Sequence, residues 1–345
     1  MSGTKTYPAS LLRARELVQP ELRRCLDRLA PELRTLVAYH LGFVDRDGRP
    51  SSGDGGKAVR PALAFLSAQA VGAPAEVAMP GALAVELVHN FSLLHDDVMD
   101  QDAERRHRPT AWALFGVGRA IVTGDALLVL AHQVLLEPLS PERERASVAL
   151  TRATARMIAG QAEDLAFESR LDVTVEECLR MCADKTGALL AYAASVGAIL
   201  AGADQPAVRA LEDFGLHVGL AFQAVDDILG IWGRSETTGK PVAGDLRSHK
   251  KTLPVVAALS ALSRSASSAR QGEQLVRFLS NGHLTEDDVK AAVALVEMGG
   301  GRERCMAEAD RELHLALASL DRADFDPTAR TELTDLARFV TARDY

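Results

Sequence analysis

Apolar residues recur at three- and four-residue spacing along almost the whole chain, while runs alternating apolar with polar residues are hard to find. The first pattern makes one face of a helix apolar and the second one face of a strand, so the sequence predicts an all-α protein. Several helix starts can be named from their chemistry. Thr174 and Glu177 have the spacing of a capping box, in which each side chain serves the other residue's backbone amide. Ser140 and Asp326 each precede a proline, Pro141 and Pro327, placed to be the first helical residue, where its missing N–H costs nothing. With 345 residues, 47% of them hydrophobic, the chain can bury one large core. Neither a fixed-period repeat nor a compositional break divides it, so a single helical domain over residues 1–345 is expected, with an N-terminal helical region over about 1–40.

Two polar segments interrupt the pattern, Gly42 to Lys57 and Gly233 to Lys251, both carrying Gly, Pro and charges and both reading as loops. A third, Ser263 to Glu273, reads as solvated loop. The formal net charge of -8 offers no basic face to nucleic acid or an anionic membrane, leaving small molecules as the expected partners. The opening MSGTKTYPAS lacks the parts of a signal peptide, and no apolar run approaches a membrane span, so a cytoplasmic protein with no transmembrane segment is expected. Cys25, Cys178, Cys182 and Cys305 form no CxxC pair and read as buried free thiols.

The acids are more informative. Asp96, Asp97 and Asp100 follow an apolar helical run beginning near Gly81, which puts Asp96 and Asp100 on one face near a helix end. Two carboxylates there repel unless a cation lies between them, and their hard oxygens suit magnesium, which commonly bridges a protein carboxylate to substrate phosphates. A solvated acidic face is the plain alternative for an isolated DDxxD. Arg105, Arg106 and Arg108 follow at once, and guanidinium groups are natural partners of phosphate oxygens. Asp226 and Asp227 form a second pair within the apolar run GLAFQAVDDILGIW, where adjacent carboxylates are costly unless paired or metal-bound. Lys57 and Arg60 stand at a predicted helix start, which also favours anions. No nucleotide P-loop is present there, because Ala58 stands where Ser or Thr is required and no strand precedes it. Lys185 with Thr186, Lys240 and Lys250 are further phosphate-binding candidates.

In chain order these segments read GGKxxRP, ExxH before DDxxD, RRxRPT, GQxxDL, KT, FQxxDD and GKxxxxDLxxxKKTLP. From about residue 55 to 254 the chain resembles the trans-isoprenyl diphosphate synthases, the farnesyl and geranylgeranyl diphosphate synthase family. The resemblance implies an isoprenoid-synthase helical bundle around a central active-site cavity, a homodimer, and magnesium as the metal. It implies condensation of isopentenyl diphosphate with an allylic diphosphate. Asp96, Asp100 and Asp226 would be direct magnesium ligands, with Asp97, Asp227 and Asp164 as further candidates. Arg105, Lys185, Thr186, Lys240 and Lys250 would hold the allylic diphosphate; Lys57, Arg60, His89 and Arg106 would hold isopentenyl diphosphate; Gln161, Asp164 and Gln223 would line the space between. His89 as a plain core histidine is the alternative reading.

Two departures matter. The family's second motif usually ends in Asp, and here that position is Gly230. If the final acid is the least directly coordinated, activity survives with weaker metal affinity; if not, rate or substrate range has changed. Product length should depend on bulk about one helical turn before the first aspartates, where Phe91 and Ser92 stand. Farnesyl-type enzymes often carry bulk at both places or an insertion in the first motif, so a geranylgeranyl product is expected first and a farnesyl product second, with Phe91 either length-setting or ordinary core. A class I terpene cyclase would show an NSE-type motif and an aromatic-rich cavity, and aromatics are only 5% of this chain. A noncatalytic synthase subunit would have an eroded first motif, and here it is complete.

Overall fold

The computed structural model describes residues 7–51, 56–105, 108–233, 243–264, 267–280 and 284–342. Helices dominate it, as the periodicity predicts. They are α1 (Ala9–Leu26), α2 (Pro31–His40), α3 (Val59–Ala70), α4 (Met79–Met99), α5 (Ala111–Phe115), α6 (Val117–Leu136), α7 (Pro141–Glu168), α8 (Val175–Cys182), α9 (Ala188–Leu200) and α10 (Gln205–Trp232). There follow α11 (Gly244–Arg247), α12 (Leu253–Arg264), α13 (Ala269–Ser280), α14 (Glu286–Met298), α15 (Gly301–Ser319) and α16 (Pro327–Thr341). Among the described residues the one sheet is a small antiparallel hairpin, β1 (Glu104–Arg105) with β2 (Arg108–Pro109).

The three named helix starts are all present. Thr174 Oγ1 accepts from the Glu177 amide at 3.1 Å, and Glu177 Oε2 accepts from the Thr174 amide at 2.9 Å. Asp326 Oδ1 accepts from the amides of Thr328 and Ala329, and Ser140 Oγ accepts from Arg143 N as α7 begins at Pro141.

Two expectations need correction. Ser263 to Glu273 is largely helix: its ends belong to α12 and α13, because α13 has Leu275 and Leu279 to bury and Ser268 accepts the amides of Gln271 and Gly272 at its start. Three stretches, Ala75–Met99, Val117–Leu136 and Gln205–Trp232, are also long and apolar enough to cross a membrane by length and composition. Their apolar windows are 61%, 44% and 61% buried within the protein, so much of that apolarity is used in packing.

Packing divides the chain into two compact units, each assembled from three stretches: Met1–Thr154, Leu189–Gly215 and Ser319–Leu336 in the first, Ala155–Ala188, Leu216–Ala318 and Ala337–Tyr345 in the second. The first unit has a core that includes Leu63, Leu66, Leu87, Leu94, Leu127 and Leu130, each almost fully buried and contributing about 1.5–3 kcal/mol through burial. In the second, Val225, Ile228 and Leu229 of α10 join Phe167, Leu253 and Val256 in one cluster. That cluster fixes the rotation of α10, leaving Asp226 and Gly230 half-buried on another face. Cys178, Cys182 and Cys305 are buried free thiols, whereas Cys25 is only half-buried; the Cys305 thiol is pushed up mainly by burial and that of Cys182 mainly by its hydrogen bond with Cys178.

Candidate active site

In the first unit α4 carries His89, Phe91, Ser92 and the aspartates. The helix runs unbroken to its end, Asp100 N donating to Asp96 O at 2.8 Å, so Asp96 and Asp100 lie one turn apart and both are half-buried. These carboxylates stand at the negative end of the helix dipole with no basic residue in the last turn, an arrangement that favours an added cation. Asp97 differs. It is 1% exposed, and Arg105 Nε donates to its Oδ1 at 2.7 Å. Arg105 reaches it from β1, and the hairpin is itself pinned: Tyr39 Oη donates to Pro109 O at 2.7 Å, and Arg108 lies over the Tyr39 ring at 4.5 Å while donating to Val44 O. The RRHR run is thereby divided by role, with Arg105 on an acid and Arg108 on an aromatic ring; Arg106 lies outside the described residues. A cavity of about 130 Å³ opens here, lined by Tyr39, Asn90, Asp97, Arg105 and Arg108.

Lys57 and Arg60 precede and open α3. Ala58 has φ 53°, a left-handed conformation that turns the chain sharply into the helix, leaving Lys57 exposed and Arg60 half-buried. His89 is half-buried between buried neighbours Val88 and Asn90, which sets it apart from an ordinary core histidine. Ser92 Oγ donates to His89 O at 2.9 Å, and Phe91 is buried.

In the second unit Lys185 and Thr186 sit on a π-helical turn, Ala183–Gly187, joining α8 to α9. Such turns insert a residue into helical register and are frequent at functional sites. Gly160 lets α7 pack directly against the backbone of this turn: a Cβ there would lie 2.3 Å from Lys185 N. Lys185 Nζ meets Asp164 Oδ2 at 2.5 Å. Thr186 Oγ1 donates to Gln223 Oε1 at 2.7 Å, Gln223 Nε2 donates to Asp227 Oδ1 at 2.8 Å, and the Leu253 amide donates to Asp227 Oδ2 at 3.0 Å. Asp227 is thus the buried member of its pair, as Asp97 is of the first. Burial, together with nearby Asp245 and Asp226, raises its pKa to about 7 against the lowering effect of Gln223 and the Leu253 amide. Gln161 has both amide atoms buried without a hydrogen-bond partner among the described residues, which costs roughly 1–3 kcal/mol per group unless water or a ligand supplies one.

Sequence reasoning missed Asp245. A Cβ on Gly230 would lie 1.9 Å from Asp245 Oδ2, so this carboxylate occupies the space where the side chain of a final motif acid would begin. The signal was present in GKxxxxDL, which includes Asp245 without giving it a role. Lys250 is half-buried and its amide donates to Asp245 O, whereas Lys251 is buried and donates to the carbonyls of Glu168 and His249. Burial lowers the pKa of Lys251. Lys240 lies outside the described residues.

Among the described residues no three His, Cys, Asp or Glu side chains enclose a metal position. Magnesium has no need of such a cage, since it keeps several waters and binds through one or two carboxylates plus substrate phosphates. The half-buried Asp96 and Asp100, one turn apart at a helix end, are donors of that kind.

The family model for polyprenyl synthetase matches residues 50–296. A (2E,6E)-farnesyl diphosphate synthase of Mycobacterium tuberculosis is 50% identical over 334 residues, covering 96% of this chain and 91% of that protein. A geranylgeranyl diphosphate synthase of the same organism is 42% identical over 338 residues, covering 97% and 94%. The crystal structure of a polyprenyl synthetase from Streptomyces coelicolor superposes with a TM-score of 0.89 at 52% identity, covering 97% of this chain and 99% of that one. With a family model matched over residues 50–296, half of its residues identical to two of these relatives over nearly its full length and the same helical fold, the chain belongs to the polyprenyl synthetase family and is a prenyltransferase of the trans-isoprenyl diphosphate synthase type.

Proposed function

We propose that the protein joins isopentenyl diphosphate to an allylic diphosphate and stops at farnesyl diphosphate. The observation that carries the product assignment is Phe91, a buried ring on α4 shortly before Asp96. Identity supports it as well, at 50% to a relative named for farnesyl and 42% to one named for geranylgeranyl diphosphate. The geranylgeranyl expectation rested on the lack of bulk at both positions and of an insertion in the first motif; a single ring suffices as the floor if it is held in place.

Asp96, Asp100 and Asp226 are the residues we assign to magnesium, which when bound neutralises the charge developing on the departing diphosphate. Asp97 and Asp227 are assigned to the scaffold beneath, Asp97 aiming Arg105 and Asp227 aiming Gln223. Arg105, Lys185 and Lys250, with Lys240, hold the allylic diphosphate and stabilise negative charge as the carbon–oxygen bond breaks. Lys57, Arg60, His89 and Arg106 hold isopentenyl diphosphate so that its alkene faces the allylic carbon. Gln161 and the Thr186–Gln223 pair present neutral oxygens towards positive charge, and exclusion of water protects the carbocation. A second copy of the chain is the partner we assign to the exposed apolar stripe Val117, Ile121, Val122 and Val129 on α6.

The test is to incubate the purified protein with magnesium, isopentenyl diphosphate and each of dimethylallyl, geranyl and farnesyl diphosphate, then to identify the prenyl alcohols after phosphatase treatment. Farnesol from the first two starters, with farnesyl diphosphate left unextended, is expected. Geranylgeraniol as main product overturns the chain length; a cyclic hydrocarbon, or no elongation of any starter, overturns the reaction.

A further inference from the structure

The imidazole of His95 lies between the backbone of α6 and the ring of Phe91. On one side His95 Nε2 is 3.0 Å from the Ile121 carbonyl oxygen. A carbonyl only accepts, so Nε2 carries the proton and donates it. Asp125 Oδ1 lies 3.7 Å from the same nitrogen. The approach is possible because residue 124 is glycine: a Cβ there would lie 2.4 Å from Nε2 and 2.5 Å from Cδ2 of the imidazole. On the other side the imidazole meets Phe91 edge to face, centroids 4.8 Å apart and planes at 67°. Phe91 and His95 are four residues apart on α4 and so share a face.

We propose that Gly124 and His95 are positioning residues for product length, acting through Phe91. This rests on the assignment of Phe91 as the tunnel floor. The hydrogen bond to Ile121 fixes the imidazole, and the fixed imidazole limits the rotamers open to Phe91. A side chain at 124 must displace the imidazole, which occupies the place of that Cβ, and so breaks the hydrogen bond to the Ile121 carbonyl that fixes it. Removing the imidazole instead takes away the wedge and lets the ring swing. Either change loosens the floor without touching a diphosphate-binding residue, so the product ratio should move more than the affinity for either substrate.

The experiment measures the geranylgeranyl-to-farnesyl ratio from geranyl diphosphate and excess isopentenyl diphosphate for wild type, Gly124→Ala, His95→Ala and Phe91→Ala, and for each of the first two combined with Phe91→Ala. Phe91→Ala should raise the ratio most. His95→Ala and Gly124→Ala should each raise it about threefold, a change that one aromatic pair can support, and neither should add to the effect of Phe91→Ala. The ratio is independent of how much protein is active, and if Gly124→Ala does not fold, His95→Ala carries the test, since it only removes atoms from a half-buried position. Wild-type ratios in both single variants beside a lengthened product in Phe91→Ala would overturn the proposal and leave Phe91 as the floor. Additive effects on Phe91→Ala would also overturn it. An unchanged ratio in Phe91→Ala itself would remove the Phe91 assignment, and the proposal with it.

Discussion

Asp96–Asp97 on α4 and Asp226–Asp227 on α10 share a layout in which the first acid is half-buried and the second is buried. What faces the buried acid differs. Asp97 meets a guanidinium, that of Arg105 at 2.7 Å, while Asp227 meets the amide of Gln223 and the backbone N–H of Leu253. A buried carboxylate with a cation stays charged; one held by neutral donors and pressed by Asp245 and Asp226 has its pKa raised to about 7. The buried acid of the first pair therefore faces a guanidinium, while that of the second rests on neutral donors and has a charge sensitive to pH and to any added cation. If the half-buried acids are the metal-binding ones, the comparison predicts the largest losses there. Asp96→Asn and Asp226→Asn should each lower kcat/KM by about a thousandfold, the upper range for removing one preorganised electrostatic contact, and abolish magnesium-dependent binding of inorganic pyrophosphate measured by calorimetry. Retained pyrophosphate binding in Asp226→Asn would break the symmetry between the pairs.

The cationic partner of Asp97 gives the next largest effect. Arg105→Ala leaves a buried carboxylate without its guanidinium, and such losses cost roughly 3–5 kcal/mol. Denaturant unfolding should show that loss, and adding Asp97→Asn to it should recover most of the stability, because the uncompensated charge is then gone. Recovery of stability without recovery of activity would separate the scaffold role of this ion pair from the phosphate-binding role of Arg105.

Much of this architecture is legible in the sequence. Helix starts at Thr174, Ser140 and Asp326 depend on partners three residues away, so local spacing finds them. The site residues are legible because their motifs come in family order. The helical wheel also contains, in principle, the different fates of adjacent acids: Asp97 falls on the side of buried Leu94 and Asn90, and Asp227 on the side of Ala224 and Ile228. Other features depend on distant contacts that no periodicity encodes. The close packing of α7 on the turn at Lys185 uses Gly160, twenty-five residues earlier, and the carboxylate over Gly230 comes from Asp245, fifteen residues later. The helix within Ser263 to Glu273 is masked in the sequence by a Ser-rich composition, of which Ser268 donates its hydroxyl to Leu262 O and accepts the amides of Gln271 and Gly272 on its carbonyl.

The second pair can be probed through its proton. In metal-free protein the pKa of Asp227, raised to about 7 in the folded state from 3.8, means that the folded chain binds this proton more tightly than the unfolded chain. Its contribution is then greatest below about pH 4 and is lost as the pH rises towards 7, with no further change above. Comparing wild type with Asp227→Asn isolates this from the other carboxylates. The variant should be more stable than wild type at pH 8 by on the order of 2 kcal/mol, with the difference shrinking as the pH falls to 4. A wild-type-minus-variant difference that is flat with pH would mean that Asp227 stays ionised.

The smallest expected effect concerns the acid that the second pair lacks in sequence. Gly230 leaves room for the Asp245 carboxylate, since a Cβ there would lie 1.9 Å from Oδ2. Gly230→Ala must therefore displace Asp245, while Asp245→Asn keeps the shape and removes the charge. If Asp245 orients the water shell of a metal held by Asp226, either change should weaken magnesium-dependent pyrophosphate binding by about tenfold, the low end for a group that orients metal ligands. The combination should be no worse than either alone, because both remove one carboxylate from one place. Equal loss in the absence of magnesium would assign Asp245 to the fold of the Asp245–Lys250 turn, whose Lys250 N to Asp245 O hydrogen bond is 2.9 Å, and would leave the second aspartate pair without a third acid.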